Sequence, residues 1–229
     1  MSGPVVRCQR YDGGTVSEFR VVEAADALLP ALGPAGFTER DGYWFKSFPA
    51  GTPHLDRAWE NFQRLIVPQL RQAVGADPVP WREALAEVCL RLAPAGVDWW
   101  LTGSAALAVR GIAVTPGDLD LVVSGPHAHR VGDLLLDGLV EPVAPADWFC
   151  DWWGRAMLGA RVEWVGGVGP AADLPEPTDF GLVAAAGLET VRWRDRDIRV
   201  PPLSLQRAVS ARRGLHDRVR LIDDFGRTG

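Results

Sequence analysis

Hydrophobic and polar residues follow two spacings along the chain, and these spacings predict where helices and strands form. After Pro80, apolar residues recur three and four positions apart through residues 85–92, which predicts a helix opened by the proline. Residues 153–159 and 160–166 predict two strands joined at Gly159. Because strands and helices mix without strict alternation, we expect an α+β (mixed α/β) fold, with a mixed β-sheet flanked by helices.

The remaining elements are predicted from apolar runs and the turn or cap residues that bound them. Strands are predicted at residues 18–22, 97–103 and 118–124, with hairpins at 37–48, turning at Asp41-Gly42, and at 190–203, turning at 194–197. Helices are predicted at residues 24–32, 54–74, 104–111, 127–139, 204–214 and 215–225. For the helix at 54–74, Thr52 is expected to cap the first turn and Pro68 to kink or break the chain. A proline-rich loop is expected at residues 171–181.

The order of these elements predicts two parts. Residues 1–78 are expected to form a small N-terminal α+β extension that ends in a helix. Residues 79–229 are expected to form the main domain, with its mixed sheet and the C-terminal helices.

Composition excludes several classes of protein. Hydrophobic residues make up 47% of the chain and charged residues 23%, as in ordinary globular domains. We expect a soluble, cytoplasmic protein with no membrane partner, because no apolar run is long enough to cross a bilayer and residues 1–14 lack the apolar core of a secretory signal. The three cysteines, Cys8, Cys89 and Cys150, are far apart, which argues against a disulfide framework or a zinc knuckle.

Charge and aromatic residues are unevenly distributed. The net charge of −5 disfavours a surface devoted to nucleic acid, but residues 192–220 contain nine arginines and three aspartates. Arg212 and Arg213 could neutralise a triphosphate or RNA phosphates, or could lie on a solvated helix face. Tryptophans 148, 152 and 153 could stack on a base or a sugar-like acceptor, or could fill the core.

A glycine and a serine stand where a predicted strand meets a predicted helix. Gly103 would let the backbone approach a phosphate closely, and Ser104 could cap the helix or donate its hydroxyl to a phosphate oxygen. Taken alone, this pair is more typical of an ordinary helix cap.

Three acids lie on the strands that follow. Asp118 and Asp120 are two positions apart, so they face the same side of a strand, and Mg²⁺ prefers oxygen ligands of this kind. Glu163 is a single acid in an otherwise apolar strand, and it would complete a three-carboxylate site if that strand lay beside the first. The alternatives are solvated acids at the start of a strand and an exposed edge strand.

Together these residues resemble a known signature. Gly103-Ser104, a gap of thirteen residues and Asp118-Leu-Asp120-Leu121 look like the motif of the DNA polymerase β-type nucleotidyltransferase superfamily, with Glu163 as the later acid. Within it, the chain resembles small bacterial members, both minimal or antibiotic-modifying enzymes and toxins of the abortive-infection type. The resemblance covers about residues 97–165.

The resemblance implies a function and its cofactors. Asp118, Asp120 and Glu163 would be the catalytic and metal-binding residues, holding two Mg²⁺ ions or, alternatively, Mn²⁺. Gly103 and Ser104 would bind the phosphates of a nucleoside triphosphate such as ATP. A nucleoside monophosphate would pass to a hydroxyl acceptor, either a small molecule or an RNA end, and an antitoxin-type protein could be a partner. The alternative is a nucleotide-binding or interaction module that has the same fold but no turnover.

Overall fold

The computed structural model describes residues 6–146, 148–169 and 178–228, which form eleven strands and eight α-helices. The strands make three separate sheets of four, two and five strands. Most of the predicted proline-rich loop, residues 171–177, lies outside the described residues. Among the described helices, none is long and apolar enough to cross a membrane.

The N-terminal part is built on an antiparallel sheet in the order β1-β2-β4-β3. Its strands are β1 (Val6–Gly13), β2 (Val16–Ala24), β3 (Thr38–Arg40) and β4 (Tyr43–Pro49). The predicted hairpin turn is confirmed, because Asp41 and Gly42 both have positive φ, 51° and 80°. Strand β1 was not predicted from the sequence.

Two helices follow this sheet, and both differ from their predictions. Helix α1 is only Leu29–Leu32, because β2 extends through Ala24 and a turn follows it, in which the Leu28 N–H donates to the carbonyl of Ala25 at 2.8 Å. Helix α2 is Leu55–Ala73 and continues through Pro68 without a break, with Ile66 and Leu70 buried on either side of the proline.

The predicted cap of α2 is also wrong. Residue His54 precedes the helix with a φ of 63°, and no side chain caps the first turn. The Thr52 hydroxyl donates instead to the carbonyl of Pro49 at 2.7 Å, which satisfies it within the preceding turn.

The main sheet has five strands in the order β5-β6-β9-β8-β7. These are β5 (Trp99–Thr102), β6 (Leu119–Val123), β7 (Leu139–Pro145), β8 (Cys150–Leu158) and β9 (Ala160–Val168). Strands β6 and β9 pair in parallel and the other neighbours are antiparallel, so the sheet is mixed. The predicted fold class, a mixed sheet with flanking helices and an N-terminal α+β part, is confirmed.

Three helices accompany the first half of this sheet. They are α3 (Trp81–Leu92), α4 (Gly103–Val109) and α5 (Ala128–Leu134). The helix predicted at residues 127–139 therefore ends early, because Leu139 begins strand β7, which pairs with β8. Strand β7 is buried at six consecutive positions, so it lacks the period-two pattern of a half-exposed strand, and Pro142 and Pro145 interrupt its apolar residues.

The C-terminal part has helix α6 (Leu182–Ala185), the hairpin of β10 (Glu189–Trp193) and β11 (Arg196–Val200), and helices α7 (Leu203–Arg212) and α8 (His216–Thr228). Helix α2 packs on β7, and Asn61 in α2 donates to the carbonyls of Leu136 and Leu139. One cluster of buried side chains contains Phe62 as well as Trp164, so the apolar core is continuous across residue 78. The division of the chain at that residue stays a prediction.

Candidate active site

The first feature of the site is the contact between Asp120 and Gly103. Strand β5 ends at Thr102, α4 begins at the next residue, and Thr102 lies opposite Asp120 in the β5–β6 ladder. A β-carbon added at Gly103 would lie 2.1 Å from Asp120 Oδ2, and Gly103 has a φ of 63°. Only glycine fits here, because both the backbone conformation and the approach of the carboxylate exclude a side chain.

Ser104 is the second residue of α4, so it cannot be the cap that the sequence allowed. The cap position is Thr102, and no side chain makes a capping hydrogen bond there. Helix α4 has only seven residues, which limits the field at its N-terminus. The other role that the sequence allowed for Ser104, donation of its hydroxyl to a phosphate oxygen, stays a prediction.

The three predicted acids lie on two adjacent strands. Asp118 immediately precedes β6, Asp120 lies within it, and Glu163 in β9 is the parallel partner of Asp120. Arg161, two residues before Glu163 on the same face, forms ion pairs with Asp118 and, at 2.9 Å, with Glu163. The structure therefore brings the three carboxylates together and places one guanidinium between two of them.

Asp120 has an unfavourable electrostatic environment for a charged carboxylate. Burial raises the pKa of its carboxyl well above the ordinary value, and the charges of Asp118 and Glu163 raise it further. Arg161 and Arg218 oppose this shift without cancelling it. A cation added beside Asp120 would therefore relieve repulsion that the protein leaves in place.

These residues fit a magnesium ion by chemistry, since carboxylate oxygens are its preferred protein ligands. As the side chains stand, no group of three or more His, Cys, Asp or Glu residues within the described ranges could hold a metal ion. In this arrangement, Arg161 forms ion pairs with two of the three carboxylates.

A buried chain of charges connects Glu163 to the N-terminal sheet. Arg155 in β8 donates to Glu163 at 2.8 Å, to Glu141 in β7, and to the carbonyl of Ala35 at 3.0 Å. Lys46 in β4 donates to the same carbonyl at 2.6 Å and also to Glu141. Lys46, Glu141 and Arg155 are each less than 10% exposed. The orientation of Glu163 thus depends on contacts that reach back to residues 35 and 46.

Two arginines of the C-terminal part approach the same carboxylates. Arg218 in α8 and Arg213 after α7 line a cavity beside Asp120, and in the described part of the chain neither forms an ion pair with a carboxylate. Burial, and then the charge of Arg213, lower the pKa of Arg218, while Asp120 and Asp118 act in the opposite direction. Sequence reasoning considered Arg213 but missed Arg218, although the excess of arginine in residues 192–220 was a signal.

Two cavities meet at the site. The inner cavity, of about 200 Å³, is lined by Gly103, Asp120 and Glu163 and by the two arginines, Arg213 and Arg218. Its other lining side chains are mainly apolar and include Phe149, Val165, Val168, Phe180 and Val209.

The outer cavity, of about 590 Å³, lies between the N-terminal sheet and strands β7 and β8, and Lys46, Glu141 and Arg155 are among its lining residues. Both cavities are lined by Trp148, Trp153, Glu163 and Arg213. A molecule in one cavity would therefore meet a molecule in the other at Glu163.

Two of the three tryptophans predicted to line a cleft do so. The rings of Trp148 and Trp153 are stacked, with centroids 5.5 Å apart, and Trp148 is 53% exposed. Trp152 instead contacts His129 edge to face, at 4.5 Å between ring centroids. The stacked pair offers an aromatic surface where the two cavities meet.

Comparison with known proteins gives structural similarities alone. No protein-family model and no curated protein sequence matches the chain. Among solved structures, the chain is similar to a candidate nucleotidyltransferase from Thermotoga maritima, with a TM-score of 0.47 and 16% identity over 64% of this chain and 92% of the other. It is also similar to the lincosamide antibiotic adenylyltransferase LnuA in its lincomycin-bound form, with a TM-score of 0.44 and 14% identity over 64% of this chain and 98% of the other.

Proposed function

We propose that the protein is a metal-dependent nucleotidyltransferase that moves a nucleoside monophosphate from a nucleoside triphosphate to a hydroxyl acceptor and releases pyrophosphate. The observation that carries this proposal is the contact of Asp120 with Gly103, beside Glu163 on the neighbouring strand, in a cavity that is also lined by two arginines without an ion pair among the described residues. A triphosphate and its cation require acidic ligands, a backbone that approaches the phosphates closely, and guanidinium groups that can bind the phosphates.

The nucleotide is assigned to the inner cavity. Gly103 lets the backbone lie against the phosphates, and Ser104 offers a hydroxyl at the first turn of α4. Arg213 and Arg218 lie where they can neutralise the negative charge that remains on the triphosphate and on the leaving pyrophosphate. The apolar wall of the cavity fits the base.

Asp118, Asp120 and Glu163 would hold the metal, once Arg161 releases the two carboxylates that it pairs with. Bound there, magnesium would neutralise phosphate charge and lower the pKa of the acceptor hydroxyl. Glu163 lies where the cavities meet, so it is also the group positioned to accept the proton of that hydroxyl. Arg155 keeps its carboxylate oriented.

The acceptor is assigned to the outer cavity, which adjoins Glu163 and the stacked tryptophans. A small hydroxylated molecule and an RNA 3′ end both remain candidates, since the aromatic surface suits either and Arg213 suits a phosphate. Two further parts of the proposal rest on the sequence and not on a structural contact: an antitoxin-type protein partner and a cytoplasmic location.

One observation favours the alternative, a nucleotide-binding module without turnover. Arg161 and Arg155 already neutralise Glu163, and Arg161 also neutralises Asp118. If those ion pairs persist when nucleotide binds, a metal has no complete set of ligands. A triphosphate could then bind to Arg213 and Arg218 without reacting.

The test is incubation of the full chain with each labelled nucleoside triphosphate, Mg²⁺, and separate pools of RNA, protein and small hydroxylated compounds. We expect label to enter one pool, which names the acceptor class. Asp120→Asn should lower transfer by more than about 100-fold, because loss of outer-shell partners alone typically costs about 10- to 100-fold. The same variant should be at least as stable as the wild type, since it removes a repelled carboxylate.

The matched control is Asp195→Asn, which changes an aspartate that is 80% exposed and distant from the cavity. It should leave both transfer and stability unchanged. Full transfer by Asp120→Asn would refute the assignment of the carboxylates, and nucleotide binding without label in any pool would favour the alternative.

A further inference from the structure

Helix α7 presents two polar side chains to the inner cavity. Gln206 and Ser210 lie four residues apart, so they share a face of the helix. They are 2% and 4% exposed, and both line the cavity. Polar groups this deeply buried need hydrogen-bond partners.

The orientation of the Gln206 amide is determined by its neighbours. Its Nε2 donates to the carbonyl of Pro201 at 3.1 Å, and that carbonyl also accepts from Arg110 Nη2 at 2.8 Å. Since a carbonyl oxygen cannot donate, the amide nitrogen and not the amide oxygen must face Pro201. Within the described ranges, Gln206 Oε1 has no hydrogen-bond partner.

The surroundings of Gln206 suit the ring of a base. The cavity combines apolar side chains, among them Phe180 and Val209, with the charged side chains of Asp120, Arg213 and Arg218. A nucleotide with its phosphates at the charged side chains would direct its base toward the apolar ones. The buried Gln206 oxygen lacks a hydrogen-bond donor, and an amino group on the edge of that base would supply one.

We propose that Gln206 selects the base, and that the substrate nucleotide carries an exocyclic amino group in the manner of adenine or cytosine. Adenine and cytosine present an amino donor where guanine and uracil present a carbonyl acceptor. A carbonyl opposite Gln206 Oε1 would leave two acceptors facing each other. This inference rests on the proposed function, because it takes the inner cavity as the nucleotide site.

The first test compares ATP with purine riboside 5′-triphosphate, which differs only in lacking the 6-amino group. Binding to the wild-type protein is measured by calorimetry without acceptor, so no turnover is needed. We expect ATP to bind about 10- to 100-fold more tightly, the range for leaving a buried acceptor unpaired. CTP should also bind more tightly than UTP.

The second test assigns the difference to Gln206. Gln206→Leu should reduce the advantage of ATP over purine riboside triphosphate to within about 2-fold, because the apolar side chain cannot accept a hydrogen bond. The control is Gln69→Leu, a buried glutamine of α2 that does not line the inner cavity. This variant should keep the full advantage.

Equal binding of the two triphosphates to the wild-type protein would overturn the inference, even if Gln206→Leu did not fold. A folded Gln206→Leu variant that keeps the advantage of ATP would overturn it as well. The proposed function fails differently, through an absence of transfer to any acceptor pool while the preference for ATP persists.

Discussion

Arg155 is the residue on which the buried charges of the site depend, and replacing it tests that dependence. Arg155→Met would keep most of the side-chain volume but remove the donors to Glu141, to Glu163 and to the Ala35 carbonyl. Burial alone lowers the pKa of Arg155, but the charges of Glu141 and Glu163 outweigh it and raise the pKa above its ordinary value. The folded protein therefore stabilises this charge.

The contacts that Arg155→Met removes determine how much stability is lost. Removing one partner of a buried ion pair costs about 3–5 kcal/mol, because it leaves an uncompensated charge in the interior. Arg155→Met leaves Glu141 with Lys46 alone and Glu163 with Arg161 alone. We expect a loss of about 3–5 kcal/mol, which lowers Tm by roughly 6–20 °C for a chain of this length.

Lys46 contacts the same glutamate but should behave differently. Burial, and then the charge of Arg155, lower the pKa of Lys46 to about 8 despite the attraction of Glu141. The folded protein thus disfavours this charge. Lys46→Met should cost no more than about 1 kcal/mol of stability, because Glu141 and the Ala35 carbonyl both keep Arg155 as a donor.

Urea unfolding at pH 7, followed by circular dichroism, measures both variants against wild type. Arg7→Met is the control for an exposed pair, since Arg7 and Glu23 are both 56% exposed, and it should cost no more than about 1 kcal/mol. A Lys46→Met variant as unstable as Arg155→Met would show that attraction to Glu141 outweighs desolvation of the lysine, and would refute the reasoning.

Three other predictions follow from single groups. The pKa of Lys46 falls from 10.5 to about 8 on folding, so the unfolded chain binds more protons between these values. The stability of the wild type relative to Lys46→Met should therefore rise by roughly 3 kcal/mol from pH 8 to 10.5, because the titration of the thiols and other groups cancels in the comparison; a constant difference between the two proteins in urea unfolding would contradict this. Gly103→Ala should lower Tm more than Gly111→Ala, because both positions have positive φ but only Gly103 has Asp120 within 4 Å; equal losses in calorimetry would remove the role of that contact. Burial raises the pKa of all three cysteine thiols to about 11, so a thiol reagent at pH 8 should react slowly with the native chain and with three thiols in denaturant; rapid native reaction would contradict the burial.

Sequence patterns predicted the elements that carry the three acids, but not how the strands are arranged. Period-two alternation put Asp118 and Asp120 on one side, and an apolar strand around Glu163 was recognisable. That β6 and β9 are parallel neighbours depends on tertiary packing, so the approach of Glu163 to Asp120 was an assumption until the structure paired them.

The arginines of the site were harder to predict from the sequence, again because their positions depend on tertiary packing. Arg155, Arg161 and Arg218 stand far apart in the chain, and each resembles any surface arginine when only its neighbours in sequence are known. They converge because antiparallel β8 and β9 place Arg155 opposite Glu163, and because α8 packs on α7 near the cavity. Strand β1 and strand β7 were missed because their apolar residues are few or interrupted by proline.

At Asp120, the distribution of charge lowers the stability of the fold but favours the proposed activity. Arg155 and Arg161 compensate Glu163, and Arg161 compensates Asp118, so these acids are compatible with burial. Asp120 has no ion pair among the described residues, and its pKa is raised by burial and by the other two acids. A protein selected for stability alone would replace this aspartate with asparagine. An aspartate in contact with Gly103, repelled by two other acids, is the arrangement that we expect where a cation and phosphates bind.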